Sequence, residues 1–269
     1  MYEDFFGLKI RPFSKTPDPK FLFYSRSHEE ALARLQHVVE EKELILLTGE
    51  VGSGKTTLSR ALMDSLGREH RIISILNPRL TPAQFLRSVA KGFEIDTVRS
   101  KDDLLETIYE KVYEDYTKGV TPVIIIDEAQ LIPYKSTFEE IRLLTNFQLD
   151  EENLLSLILI GQSDLKKRLE HKVYLPLRQR IGLRYHLGHL NNEEVREYIA
   201  HRLKIAGRAE PLFSEEAIEA LYKFSGGIPR NINNIASNSL LEGFGKEAHL
   251  ISEEIICDVA HELGLNGVR

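Results

Sequence analysis

The sequence predicts an α/β domain built on a parallel sheet, followed by a smaller domain made only of helices. Three observations predict this fold class. A glycine-rich loop lies between a short apolar run and a helical pattern, a second apolar run ends in two adjacent acids, and the pattern becomes purely helical from Asn191 onward. A chain of 269 residues has room for one α/β domain and one smaller appendage.

The glycine-rich loop is Gly49-Glu50-Val51-Gly52-Ser53-Gly54-Lys55-Thr56, which fits the phosphate-loop pattern G-x-x-x-x-G-K-[ST]. Its glycines let successive backbone N–H groups turn toward an anion, and the helix that follows adds the positive end of its dipole. We expect Lys55 to contact the β- and γ-phosphates of ATP and the Thr56 hydroxyl to bind Mg²⁺. An apolar run at 44–48 precedes the loop, so the context is the strand, turn and helix that the motif requires. The predicted nucleotide contacts are Gly49, Glu50, Val51, Gly52, Ser53, Gly54, Lys55, Thr56 and Thr57.

A strand predicted at 121–126 delivers Asp127 and Glu128 at its carboxyl end. Open α/β sheets bind ligands at that edge. We expect Asp127 to hold Mg²⁺ through water and Glu128 to act as the general base that polarises the attacking water. Acids at a strand end are often only solvated, but the complete phosphate loop upstream favours the catalytic interpretation.

Three further polar residues are candidates for sensing or activating the γ-phosphate. Gln162 follows an apolar strand predicted at 154–160, and the alternative role is that it only caps the next helix. Arg178 and Arg180 follow a helix and precede a short strand predicted at 183–187, an exposed place from which an arginine can reach a neighbouring subunit. The alternative for each arginine is a surface ion pair or a helix-end cation.

From Asn191 the chain is predicted to form a lid of four helices. The helical pattern is interrupted at Gly226-Gly227-Ile228-Pro229-Arg230, and a new helix then begins with Pro229 at a favoured first-turn position. Arg230 could reach back to the γ-phosphate, and its alternative role is that of a structural cation. The predicted lid helices run over about 192–205, 215–224, 229–242 and 253–263.

Residues 1–30 are rich in aromatic residues and proline, unlike a disordered tail. We predict an arm at 1–30 packed on the core, a nucleotide-binding α/β domain at 31–190 and the helical lid at 191–269. Part of the arm covers the adenine base in one interpretation, and simple packing is an equal alternative. The other predicted elements are a helix ending near Glu41, a strand at 71–76, and helices at 82–91, 101–117 and 139–150.

Composition limits the class of protein. The chain is 42% hydrophobic and 28% charged with a net charge of −6, which argues against a binder that holds nucleic acid by charge alone. Cys257 is the single cysteine, so an intramolecular disulfide is excluded, and no Cys/His group has the spacing of zinc ligands. No secretion signal or membrane-spanning run is recognisable. We expect a cytoplasmic protein that reaches the inner membrane only through a partner.

Taken together, these motifs resemble an AAA+ ATPase. The opening of the chain is similar to the ExeA/GspA family of secretion-associated ATPases, which includes MshM-like proteins of pilus assembly and ATPases found beside exopolysaccharide loci. The segments that carry this second resemblance are Tyr2-Glu3-Asp4-Phe5-Phe6-Gly7-Leu8, Pro12-Phe13, Thr16-Pro17-Asp18-Pro19 and Ser27-His28-Glu29-Glu30-Ala31-Leu32. The resemblance covers essentially the whole chain.

The resemblance implies a P-loop core whose five parallel strands have the order 5-1-4-3-2, a helical lid, the use of ATP and Mg²⁺, and a homo-oligomeric ring, with a hexamer expected. It implies that Gln162 is sensor 1, that Arg230 is sensor 2 and that Arg178 or Arg180 is the arginine finger. Longer members continue into a membrane span and a peptidoglycan-binding domain, whereas this sequence ends at Arg269. We therefore expect a role in secretion to need a separate membrane-anchored protein partner.

Three functions follow as hypotheses. The first is an ATPase that supports assembly of a secretion, pilus or exopolysaccharide-export machine. The second is a DNA-transaction AAA+ regulator of the TnsC/TniB transposition type, which needs a basic stripe such as Lys166-Lys167-Arg168, although charge runs are usually solvated faces. The third is a signalling switch that binds ATP and hydrolyses it rarely.

Overall fold

The computed structural model describes residues 1–14, 19–96, 101–150 and 152–265. The chain divides into two compact units. The sheet unit consists of His28–Glu50 and Leu58–Leu187, and the helical unit consists of Met1–Ser27, Val51–Thr57 and Gly188–Arg269. Thr16, Pro17 and Asp18 of the opening motif lie outside the described residues. The three-part division predicted at 30/31 and 190/191 stays a prediction.

The described residues of the sheet unit form a sheet of five parallel strands. They are β1 (Leu44–Gly49), β2 (His70–Ile75), β3 (Thr121–Ile126), β4 (Ser156–Gly161) and β5 (Ile181–Leu187). Their spatial order is β2-β3-β4-β1-β5, which confirms the predicted order 5-1-4-3-2 and the predicted fold class. Thr48 pairs with Gly161 and Ile126 pairs with Leu159, so β1, β3 and β4 end at the same edge of the sheet.

The helices are, in chain order, α1 (Tyr2–Phe5), α2 (Arg26–Glu40), α3 (Lys55–Ser65), α4 (Pro82–Gly92), α5 (Lys101–Thr117), α6 (Lys135–Leu144), α7 (Ser163–Leu169), α8 (Leu175–Arg180), α9 (Asn192–Ile205), α10 (Glu215–Ser225), α11 (Pro229–Gly245) and α12 (Glu253–Glu262). Short 3-10 turns lie at Pro19–Phe21, Ala129–Leu131 and Lys172–Tyr174. Within the described ranges, none of these helices has both the length and the apolar character needed to cross a membrane.

Both faces of the sheet are buried, because side chains alternate between the two faces of each strand. In β1, Leu44 and Leu46 join a core with residues of α4, α5 and α6. Ile45 and Leu47 point to the other face, where they join a core with residues of α2 and α3. This two-sided burial explains why the strands read in the sequence as continuous apolar runs.

The helix predicted at 139–150 is misplaced. α6 begins earlier, at Lys135, and ends at Leu144. The chain then forms a short antiparallel hairpin that pairs Gln148–Leu149 with Glu152–Asn153. Asp150 has a φ of 48°, a left-handed conformation that suits a tight turn and ends any helix.

The described part of the helical unit contains the four predicted lid helices, α9 to α12. The N-terminal arm belongs to the same unit and contributes Phe6, Leu8 and Phe13 to its core. Arg202 of α9 is only 6% exposed, and its Nε donates to the Pro12 carbonyl oxygen at 2.6 Å. Its Nη1 donates to the Tyr198 hydroxyl at 2.6 Å. Burial raises the pKa of the Tyr198 phenol, and the charge of Arg202 acts in the opposite direction.

Candidate functional site

The phosphate loop connects β1 to α3. β1 ends at Gly49 and α3 begins at Lys55, so the loop occupies the turn that the motif predicts. Gly52 and Gly54 have φ values of 83° and 102°, conformations that favour glycine because a Cβ would clash with the backbone. Lys55 is only 6% exposed, so a positive group is held inside the turn. The loop therefore fits an anion such as a nucleotide phosphate.

The segment Gly226–Arg230 packs against the phosphate loop through the backbone. The Arg230 N–H donates to the Gly52 carbonyl oxygen at 3.3 Å, and a Cβ built on Gly52 would lie 2.4 Å from the Arg230 Cβ. Gly227 has a φ of 71°, and its carbonyl oxygen accepts the Leu190 N–H at 2.9 Å. The structure thus places the predicted sensor 2 residue, Arg230, directly at the loop, while its phosphate-sensing role stays a prediction.

The two predicted acids lie immediately after β3. Asp127 is only 3% exposed, and its Oδ1 accepts the Glu128 N–H at 2.8 Å. Glu128 has φ 52° and ψ 36°, a left-handed conformation that is unusual for a residue with a side chain. Such a conformation costs about 1–3 kcal/mol and persists only where the surroundings impose it. The strain marks Glu128 as a residue with a constrained position.

Glu128 belongs to a small network that we call the carboxylate–amide cluster, formed by Glu128, Gln130 and Gln162. The Glu128 Oε2 accepts hydrogen bonds from Gln130 Nε2 and, at 3.5 Å, from Gln162 Nε2. The Gln130 Oε1 accepts the Gln162 N–H at 3.1 Å. Gln162 occupies the N-cap position of α7, yet in the described part of the chain its side chain makes no capping hydrogen bond. Its contact with Glu128 favours the sensor interpretation over simple capping.

Sequence reasoning missed two members of this edge, Gln130 and Ser163. For Gln130, the signal in the sequence was a side-chain amide two residues after the candidate base, close enough to contact its carboxylate. The Ser163 hydroxyl donates to Glu50 Oε1 at 2.6 Å. The neighbours Gln162 and Ser163 therefore contact the candidate base on one side and the start of the phosphate loop on the other.

The two candidate arginine fingers lie elsewhere. Both residues lie in the last turn of α8. They therefore form the end of a helix, and the prediction that they come after the helix is corrected. Arg178 Nη1 donates to the Glu170 carbonyl oxygen at 3.1 Å, and Arg180 Nη2 donates to Asn146 Oδ1 at 2.8 Å. They precede β5, which is parallel to β1, so they lie at the opposite edge of the sheet from the end of β1. A strand of this length spans about 20 Å.

Comparisons with known proteins agree with this architecture. A family model described as "AAA domain" matches residues 36–169. General secretion pathway protein A of Aeromonas hydrophila is 40% identical over 273 residues, which cover 100% of this chain and 49% of that protein. The chain therefore spans about half the length of this curated relative.

Solved structures share the fold at low sequence identity. The Cdc6p structure from Pyrobaculum aerophilum matches with a TM-score of 0.71 and 17% identity, covering 96% of this chain and 72% of that one. The Thermotoga maritima RuvB structure, titled a Holliday junction branch migration motor, matches with a TM-score of 0.60 and 19% identity, covering 90% of this chain and 70% of that one. By its sequence, the chain carries an AAA domain over residues 36–169 and is a relative of General secretion pathway protein A.

Proposed function

We propose that this protein is a Mg²⁺-dependent ATPase that acts as a homo-oligomer in the assembly of a secretion, pilus or exopolysaccharide-export machine. The observation that carries the proposal is the position of Glu128. Its carboxylate lies at the end of β3, next to the buried Asp127, and two amide groups orient it. A carboxylate held in one orientation is what the general base for hydrolysis of a phosphoanhydride requires.

The roles of the residues follow from their chemistry. Lys55 and the loop N–H groups hold the phosphates of ATP. Glu128 takes a proton from water as the water oxygen bonds to the γ-phosphorus and the bond from that phosphorus to the β–γ bridging oxygen breaks. Thr56 and Asp127 are the residues that would hold Mg²⁺, which when bound neutralises negative charge on the phosphates. Gln162 and Arg230 respond to the γ-phosphate.

The arginines support a shared active site. Arg178 and Arg180 lie at the edge of the sheet opposite to the carboxyl end of β1, where the loop begins. An arginine in that position can serve the phosphates of a neighbouring subunit but not those of its own. We therefore propose a ring, with six subunits expected, in which an arginine of the next subunit completes each ATP-binding site.

The proposed partner is a membrane-anchored protein of the export machine. This part of the proposal rests on the 40% identity to General secretion pathway protein A, of which the chain spans 49%. The protein would act on the cytoplasmic side and reach the inner membrane through that partner.

The DNA-regulator alternative loses part of its support. In the basic run at 166–168, the Arg168 guanidinium lies 4.9 Å from the centre of the Phe138 ring and donates to the Ile132 carbonyl oxygen at 2.5 Å. The Arg168 side chain therefore packs against the protein and does not project freely into solvent. The Lys167 Nζ lies 3.8 Å from the Asp164 Oδ1, so an acid lies beside the basic run. Binding of DNA depends on lysines and arginines whose charges are free to contact phosphates, so this run is a weaker candidate than its sequence indicated.

The test measures ATP turnover per subunit over a range of protein concentrations for wild type, Glu128→Gln and Glu41→Gln. Glu41 is exposed at the end of α2 and serves as the matched control. We expect turnover per subunit to rise with wild-type concentration, and Glu128→Gln to bind ATP while turning it over about 100-fold or more slowly. Wild-type turnover in Glu128→Gln would overturn the assignment of the base.

The same assay with double-stranded DNA at low salt separates the two functions. Turnover that ignores DNA supports the export-machine proposal. Stimulation by DNA that salt abolishes would instead favour the transposition-type regulator.

A further inference from the structure

Gln130 holds a place that none of the nucleotide-binding motifs explains. It lies in the 3-10 turn Ala129–Leu131, two residues after Glu128. Its Nε2 donates to the Glu128 carboxylate, and its Oε1 accepts the backbone N–H of Gln162 at 3.1 Å. Because both ends of the amide are used, its orientation is determined: a reversed amide would place an oxygen against the carboxylate and an N–H against an N–H.

The end of β4 is shaped to admit this amide. A Cβ built on Gly161 would lie 2.9 Å from Gln130 Oε1 and 2.6 Å from Leu165 Cδ2. Any larger residue at position 161 would have to displace one of these side chains. The close approach is therefore a further geometric observation, beside the hydrogen bonds, that ties Gln130 to the residue before Gln162.

We propose that Gln130 is a positioning residue that couples the end of β4 to the catalytic carboxylate. The proposal rests on the proposed function of Glu128 as the base. A shift of Gln162 on contact with the γ-phosphate moves the N–H that Gln130 accepts, and the same amide passes that shift to Glu128. Both amides bind Oε2, so the proposal assigns Oε1 as the oxygen that takes the proton from water.

Two variants distinguish the contribution of the Gln130 Nε2 donor from that of the Gln130 Oε1 acceptor. Gln130→Glu keeps the length and the acceptor for the Gln162 N–H, but it places a carboxylate against Glu128. Gln130→Met keeps the length and removes both hydrogen bonds. Gln148→Glu adds the same charge on the exposed hairpin and is the matched control. A protein stability measurement accompanies each variant, and Gln130→Met covers the case in which the added charge prevents folding.

We expect kcat to fall about 10-fold or more in Gln130→Glu and about 3- to 10-fold in Gln130→Met, while KM and the Kd for ATP stay within about 2-fold of wild type.

The outcomes distinguish this proposal from the proposed function. Wild-type kcat in both Gln130 variants, together with an inactive Glu128→Gln, would overturn the role of Gln130 and leave the ATPase intact. Parallel losses of ATP affinity and kcat would make Gln130 a binding residue and would also overturn the proposal. An active Glu128→Gln would remove the function on which the proposal rests.

Discussion

The phosphate loop and the ends of β3 and β4 are built in different ways. The loop depends on the backbone: Gly52 has a φ of 83°, and its carbonyl oxygen accepts the Arg230 N–H. The strand ends depend on side chains, because Glu128, Gln130 and Gln162 orient one another. A region that depends on backbone conformation tolerates almost no substitution at its glycines. In a network of side chains, a single substitution can remove one hydrogen bond or one charge and leave the rest in place. The two regions should therefore respond differently to single substitutions.

The largest effect is expected from Gly52→Ala. Forcing an L side chain into a left-handed conformation costs about 1–2 kcal/mol, and the new Cβ would lie 2.4 Å from the Arg230 Cβ. We expect the Kd for a fluorescent ATP analogue to rise at least about 30-fold, because about 2 kcal/mol gives that factor at 1.4 kcal/mol per factor of ten and the clash adds to it.

Gly119→Ala is the matched control for this change. Gly119 has a φ of 70°, but nothing lies within 4 Å of a Cβ built there, so the variant carries the backbone cost without the clash. It should lose stability and keep its affinity for ATP. If Gly52→Ala bound ATP as tightly as Gly119→Ala, the contact between the loop and Arg230 would be dispensable.

A smaller effect is expected from Gly161→Ala, which tests the side-chain region without changing any of its polar groups. The added methyl must displace the Gln130 amide or Leu165. We expect kcat to fall about 5- to 10-fold with an unchanged Kd for ATP, because the base loses its orientation and the loop does not. Gly245→Ala, where a Cβ would meet nothing within 4 Å, is the control. An unchanged kcat would show that the cluster absorbs the displacement.

The same contrast explains what the sequence could predict. The phosphate loop and the five strands were predictable because their signals are local: glycines at fixed spacing and apolar runs that match buried parallel strands. The strand order matched the one implied by the family resemblance.

Two of the misses depend on contacts between distant segments. The contact of Gln130 with Gln162 exists only because Ile126 pairs with Leu159 in the register of β3 and β4. Arg202 bonds to Pro12 across 190 residues, so nothing near either residue indicates that contact. The helix predicted at 139–150 was extended too far for a local reason: it ends at Leu144, but residues 145–150 contain no glycine or proline that would signal the turn.

The smallest effect is expected from Ser163→Ala, which removes the hydrogen bond from the Ser163 hydroxyl to Glu50 Oε1. The bond is exposed, so its loss should cost about 0.5–1 kcal/mol, a change of about 2- to 5-fold. Ser88→Ala, which removes an exposed hydroxyl that donates to the Gln84 carbonyl oxygen, is the control. Turnover and ATP titration together show where the change falls. A change in Kd alone means that Ser163 supports the loop, and the two regions act separately. A change in kcat alone means that Glu50 transmits the state of the loop to the side chains beside β4. Glu50 would then belong functionally to the side-chain network, although it lies within the phosphate loop.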